Sequence, residues 1–296
     1  MSLSIIIPCL NEEDIQNTID DIHKTIEISD FEIIVIDDNS DFVVKLDKIS
    51  KLIRNKKRIG VDGCRQLGVE LSSNDNILII DSHMRFSKDW GKKIVKNIEQ
   101  NEKTIWCFSC CELGCGNMDM DYVDSVYRGA NIVINKGNDI LEPKWRNSIK
   151  EGIYEVPCVL GGAYGLNKKW MNYIKGFEGL KMWGSSEVFI SLKSWLAGGN
   201  CRIDTGIEIG HKFRDHAPYS TYCWNMIYNK LFILNTIFPS KIREEIIDKI
   251  PKTVNFKRAL EELEMNKTLI KERKKYYEGI FVKDFYGICK KLSIEL

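Results

Sequence analysis

Ile77-Leu78-Ile79-Ile80-Asp81-Ser82-His83 is the stretch that decides the fold of this 296-residue chain. Its four aliphatic residues make an apolar run that reads as a buried strand. A carboxylate and an imidazole, Asp81 and His83, then emerge at the C-terminal end of that strand. In open α/β sheets this edge is where ligands bind. An oxygen donor and a nitrogen donor on one short loop suit a divalent ion such as Mn2+ or Mg2+. An ion held by few protein groups keeps positions free for a phosphate. Asp-Ser-His also makes a good turn, so its weight depends on what surrounds it.

Strand and helix signals alternate on both sides, which argues for a mostly parallel, Rossmann-like α/β sheet. Ser4–Ile7 reads as a strand. Helical spacing follows over Glu12–Ile28, with Asn11 placed as its N-cap. Phe31–Ile36 is a second strand, ending in Asp37-Asp38-Asn39-Ser40. A helix is expected over Asp41–Lys51 and a short strand from Ile53. Gly60–Leu71 and Trp90–Gln100 read as helices, and Thr104–Cys110 as a strand. The pattern from Glu112 to Val156 is irregular, with strands expected at Ile132–Asn135 and near Ile153. Lys168–Ile174 is a short helix after the Gly161-Gly162 break. Val188–Ala197 is a helix closed by Gly198-Gly199, and Cys201–Ile209 is a strand. Beyond Pro218 the chain turns to Lys-, Glu- and Ile-rich helices. This divides the chain into residues 1–219 and a helical extension, 220–296.

Lys and Arg total 43 against 42 Asp and Glu, so net charge points to no polyanionic partner. No basic region followed by an apolar stretch and a cleavage site opens the chain. The apolar segment 226–238 is interrupted by Asn229, Lys230 and Asn235 and is too short to span a bilayer. The expectation is a cytoplasmic protein whose ten cysteines are thiols. Cys107, Cys110, Cys111 and Cys115 lack the paired spacing of a zinc site, so buried or loop thiols are the better reading. Asp119, Asp121 and Asp124 read as a solvated acidic loop. The tail's Lys271, Arg273, Lys274 and Lys275 are interleaved with Glu residues. That reads as a solvated helix face, with acceptor docking or homodimerisation open to it.

Ile5-Ile6-Ile7-Pro8-Cys9-Leu10-Asn11-Glu12 with Val35-Ile36-Asp37-Asp38-Asn39-Ser40 resembles the start of family 2 glycosyltransferases of the GT-A fold. Arg58-x-Gly60-Val61-x-x-x-Arg65-x-x-Gly68 before Asp81-Ser82-His83 narrows the likeness to the polypeptide N-acetylgalactosaminyltransferases. Gly161-Gly162-Ala163-Tyr164, Met182-Trp183-Gly184 and Gly210-His211-x-Phe213-Arg214-x-x-x-Pro218-Tyr219 keep that family's order and spacing. The resemblance covers residues 4–219.

It implies a UDP-sugar-dependent glycosyltransferase of the hexosyltransferase type, with Asp81, His83 and His211 as the ligands of Mn2+ or Mg2+. Two of the chain's four histidines fall on these positions. The resemblance assigns Asp38 to the nucleoside, where the residue by itself is equally a turn or cap residue. Arg65 either reaches the diphosphate or braces the Asp81 loop. Arg214 and Tyr219 go to the diphosphate, and Gly161, Gly162 and Trp183 to the sugar pocket.

One departure stands out. The family reads Trp-Gly-Gly-Glu-Asn-x-Glu where this chain has Trp183-Gly184-Ser185-Ser186-Glu187-Val188-Phe189. Glu187 thus falls where an inverting family 2 enzyme carries its base, and general-base chemistry on an acceptor hydroxyl or thiol is expected of it. Capping the helix that begins at Val188 is a compatible role. The acceptor is open among peptide, glycan, lipid-linked and modified-DNA classes. Two other readings keep the fold: a non-catalytic nucleotide-sugar-binding or scaffold protein, and a nucleotidyltransferase.

Overall fold

The computed structural model describes residues 1–113, 120, 123–134, 139–213 and 223–296. Four parallel strands form its N-terminal half: β1 (Leu3–Cys9), β2 (Phe31–Asp37), β3 (Lys51–Arg54) and β4 (Asn76–Ile80). Every residue of β1 and β4 is buried, as expected of strands covered on both faces. The following strands are β5 (Met84–Phe86), β6 (Thr104–Leu113), β7 (Val123–Tyr127), β8 (Ala130–Val133), β9 (Glu142–Trp145), β10 (Ile153–Glu155), β11 (Ala163–Asn167) and β12 (Asn200–His211). The main sheet runs β10-β12-β6-β11-β4-β1-β2-β3, with β5 beside β12 and β7 beside β6. β12 runs parallel to β6, while β11 is antiparallel to both β4 and β6.

Helices cover both faces: α1 (Ile15–Thr25), α2 (Gly60–Leu71), α3 (Gly91–Gln100), α4 (Lys168–Tyr173) and α5 (Ser186–Leu196). On one face Ile5, Ile7 and Leu78 pack with Ile15, Ile19 and Ile94 of α1 and α3. On the other, Ile6, Ile77 and Ile79 pack with Val69, Trp170 and Phe189. The two-residue period of the strands sends alternate aliphatics to opposite cores.

The C-terminal helices are α6 (Cys223–Ile237), α7 (Ser240–Lys249), α8 (Val254–Met265), α9 (Lys267–Ile280) and α10 (Phe285–Lys291). They share the second core: Phe189 of α5 meets Phe232 at 6.0 Å and Tyr277 at 6.3 Å between ring centroids. Lys193 of α5 is fully buried in this layer. Its Nζ lies 3.7 Å from the Phe189 ring centroid and donates to the Gly176 carbonyl. Burial pushes its pKa well below the ordinary lysine value. Among the described residues no helix is long and apolar enough to cross a membrane.

Three local expectations are corrected. Residues 41–50 form no helix, because their polar groups are engaged elsewhere: Arg54 donates to the carbonyls of Ser40 and Phe42, and Gln16 accepts from Asp47 N. Asn11 is not the cap of α1, which begins at Ile15 with Asp14 in the cap position. Asn11 instead has φ 51° and exchanges hydrogen bonds with Asp41. The strand expected at 132–135 is β8, shifted toward its N-terminus, and Asn135 lies outside the described residues.

Gly60 opens α2 with φ +81°, and a Cβ there would stand 2.0 Å from Met182 Cα and 2.5 Å from Met182 O. This contact joins α2 to the segment before α5. Gly60→Ala is expected to destabilise by about 2 kcal/mol or more, combining left-handed strain with overpacking. Gly279→Ala, where the methyl meets nothing within 4 Å, is expected to stabilise α9 by about 0.5–1 kcal/mol. Urea midpoints measure both, and equal shifts would remove the packing argument.

Candidate active site

The C-terminal ends of β1, β2 and β4 come out on one edge and open into a cavity of ≈ 290 Å³. Asp81 follows β4 directly, its N–H donating to the Gly162 carbonyl at 3.0 Å. His83 sits two residues on, and His211 ends β12, paired there with Met84. Ligand atoms of Asp81, His83 and His211 lie within 4.8 Å of one another. The histidine rings are 4.9 Å apart, and His211 Nε2 is 3.3 Å from Asp81 Oδ2. His211 is nearly buried, and neither ring nitrogen has a hydrogen-bond partner among the described residues. An orphaned buried imidazole beside a carboxylate fits a cation-binding group. Burial opposes ionisation of Asp81, but His211, Arg65 and His83 together outweigh it and hold its pKa below the ordinary carboxyl value. Desolvation lowers the His83 pKa against the pull of Asp81 and Asp14, which favours the neutral imidazole.

Arg65 of α2 organises the wall behind this group and is only 4% exposed. It donates to Glu187 Oε1 at 3.0 Å, to Asp81 Oδ1 at 3.4 Å and to the Gly161 carbonyl at 3.3 Å. Of the two roles expected for it, the geometry matches bracing of the Asp81 loop. Glu187 stands in the first turn of α5 and lines the cavity. A Cβ on Gly161 would reach to 3.2 Å from Glu187 Oε1, so glycine there leaves the carboxylate its place. Asp62, one turn before Arg65, is fully buried at 3.6 Å from the guanidinium. Burial pushes its pKa up to about 7, with Glu187 adding to the rise and Arg65 opposing it.

Asp38 also lines the cavity. Its Oδ1 accepts from Asn55 Nδ2 at 2.9 Å and Ile59 N at 2.8 Å, and its Oδ2 from Gly60 N at 2.8 Å. Asp38 therefore shapes the loop that starts α2 as well as facing the cavity. Gly161, Gly162 and Trp183 line the same space, with Trp183 47% exposed at its mouth. Arg214 and Tyr219 lie outside the described residues, as do Cys115, Asp119 and Asp121; of Asp124 only the backbone is described. Cys107, Cys110 and Cys111 are buried free thiols in β6, and burial pushes the Cys107 thiol up to about 12.

Sequence reasoning missed several contributors. Glu12 Oε2 lies 2.9 Å from His83 Nδ1, a contact foreshadowed only by the place of Glu12 just beyond β1. Asp62 carried no signal except its i, i+3 spacing to Arg65. Trp145 and Phe213 build an aromatic wall beside the metal-type group: Phe213 lies 4.5 Å from His211 and 5.3 Å from Trp145 between ring centroids. The helical extension also reaches the cavity, where α6 lends Asn225 and Met226 to the lining. Buried Asn229 of the same helix accepts from Lys181 N and donates to the carbonyls of Lys181 and Gly184. It thus holds the segment in which Met182 and Ser185 have positive φ and from which Trp183 projects.

The mostly parallel sheet, with helices on both faces and a carboxylate–histidine group at the strand ends, is a GT-A fold carrying C-terminal helices. Residues 4–141 match the model of Glycosyl transferase family 2. It is similar to polypeptide N-acetylgalactosaminyltransferase 11 of Xenopus tropicalis, 26% identical over 212 residues, which are 64% of this chain and 34% of that protein. Polypeptide N-acetylgalactosaminyltransferase 10 of Homo sapiens is 25% identical over 205 residues, 68% of this chain and 34% of that one. The chain thus spans about a third of the length of the curated relatives it matches. The crystal structure of GalNAc-T7 with UDP, GalNAc and Mn2+ superposes with a TM-score of 0.74 at 19% identity, covering 99% of this chain and 56% of that one. S. aureus TarS 1-349 in complex with UDP-GlcNAc gives 0.54 at 11% identity, covering 95% and 90%. At these identities the structural likeness establishes the fold.

The buried Asp62 sets a pH dependence of stability. Folding raises its pKa from the ordinary carboxyl value of 3.8 to about 7, so between these values the folded chain holds a proton that the unfolded chain releases. Its contribution to stability therefore falls as pH rises through that window and levels off above about 7. The expected loss is on the order of 1 kcal/mol per pH unit. Asp62→Asn is expected to flatten this slope in urea titrations at several pH values. A variant with the wild-type slope would show that another group titrates.

Proposed function

We propose that this protein is a glycosyltransferase that moves a sugar from a UDP-sugar to an acceptor hydroxyl or thiol with the help of a divalent ion, Mn2+ or Mg2+. The observation that carries the reading is the convergence of Asp81, His83 and His211 within 4.8 Å inside the cavity at the strand ends. These three residues would hold the ion, which would supply neutralisation of the charge that builds on the leaving UDP. The UDP and Mn2+ in the GalNAc-T7 crystal structure and the UDP-GlcNAc in the TarS complex support this choice of donor and ion.

The chain's own residues divide the remaining work. Asp38 and the loop it shapes lie on the nucleoside side. Arg65 holds Asp81 and Glu187 in register, and Arg214 and Tyr219 are assigned to the diphosphate by their motif. Glu187 Oε1 is taken by Arg65, and no hydrogen bond occupies Oε2 among the described residues. We assign Glu187 the role of base in an inverting transfer. The acceptor oxygen or sulfur attacks the anomeric carbon from the face opposite UDP, the bond to UDP breaks, and the acceptor proton passes to Glu187.

Two variants separate binding from chemistry. His211→Ala is expected to abolish the Mn2+-dependent part of UDP binding in calorimetry while leaving the circular dichroism spectrum intact; unchanged affinity would refute the metal assignment. Glu187→Gln is expected to keep UDP-sugar affinity and slow transfer by about 100- to 10,000-fold. NMR of the product tests the stereochemistry. A product that keeps the donor's anomeric configuration would remove the base role and leave Glu187 as the anchor of Arg65. Pyrophosphate release from a nucleoside triphosphate, with no turnover of UDP-sugars, would instead favour a nucleotidyltransferase.

A further inference from the structure

We propose that Glu12 is a positioning residue that fixes the tautomer of His83 and aims its Nε2 at the cation; the inference rests on the metal-dependent reading above. Glu12 lies in the loop after β1 and is 6% exposed, whereas its neighbour Glu13 points to solvent. Its Oε2 is 2.9 Å from His83 Nδ1 and accepts from Ser82 Oγ at 3.1 Å. Its Oε1 accepts from Asp14 N at 3.1 Å. The carboxylate is thus fastened to the start of α1 on one side and to the Asp81-Ser82-His83 loop on the other.

An ionised carboxylate only accepts hydrogen bonds, so the ring nitrogen facing it must carry the proton. In a neutral imidazole with the proton on Nδ1, the lone pair is on Nε2. That lone pair is what His83 would offer to an ion shared with Asp81 and His211. Thr18 of α1 braces the same loop, but only through its backbone: its Oγ1 donates to the Ser82 carbonyl and accepts from Met84 N, both at 3.0 Å. Positioning of the loop is therefore shared, while control of the ring proton belongs to Glu12. Partners of this kind orient a ligating histidine and raise its basicity, and losing one costs typically about 10- to 100-fold in metal affinity.

The deciding experiment is nitrogen-15 NMR of the His83 ring in metal-free protein, well above the ordinary imidazole pKa of about 6.5. It is paired with Mn2+ titration of the same samples. Wild-type protein is expected to show the proton on Nδ1, and Glu12→Ala to lose that preference and about 10- to 100-fold of its Mn2+ affinity. Glu12→Gln keeps the size and one oxygen acceptor and is expected to fall between the two. A proton on Nε2 in the wild type, or an unchanged tautomer in a folded Glu12→Ala, would overturn the proposal, as would equal Mn2+ affinity in all three proteins. A wild type with the expected tautomer that binds no Mn2+ would overturn the metal-dependent reading, and the role for Glu12 toward an ion with it.

Discussion

One buried guanidinium ties the site together. Arg65 reaches it from α2 and holds Asp81 from the end of β4 and Glu187 from the start of α5, with Asp62 close behind. Three separate elements thus converge on a single charge that is almost excluded from water. Breaking such a buried pair from one side typically costs about 3–5 kcal/mol, because it strands the remaining charges. Burial pushes Asp62 toward the protonated form, which leaves two carboxylates for one guanidinium. Both carboxylates line the cavity together with His83, His211 and Arg58.

The scaffold around Arg65 is built to keep its partners from drifting. Gly60 lets α2 start hard against Met182, which ties α2 to the segment before α5. Asp38 caps that same start through the N–H groups of residues 59 and 60. From the other direction Asn229 of α6 clasps the backbone at 181 and 184. The C-terminal helices are therefore part of the cavity wall and also share the aromatic layer that Phe189 makes with Phe232 and Tyr277.

Much of this was legible in the sequence because it rests on local pattern. The runs that became β1, β2 and β4 are continuous aliphatics bounded by polar strand ends, and α2, α3 and α5 carry helical spacing, α5 between Gly184 and Gly198. The Asp81, His83 and His211 group was legible only through the resemblance, since 128 residues separate its two histidines and no periodicity connects them. β11 was not legible: Ala163–Asn167 is short, lacks alternation and enters the sheet antiparallel between β4 and β6. The segment 41–50 was misread because helix spacing there is overridden by Arg54, Gln16 and Asn11, which bond its backbone from other parts of the fold. Glu12 and Asp62 were missed for the same reason, as each matters only through a partner brought near by topology.

The account stands on an ion held between β4 and β12, and anomalous X-ray diffraction at the manganese edge tests that most directly. Crystals grown with Mn2+ and UDP are predicted to give one strong peak within bonding distance of Asp81, His83 and His211, with the diphosphate on its open side. UDP bound in the cavity with no peak at those three residues, or with the peak elsewhere, would contradict it.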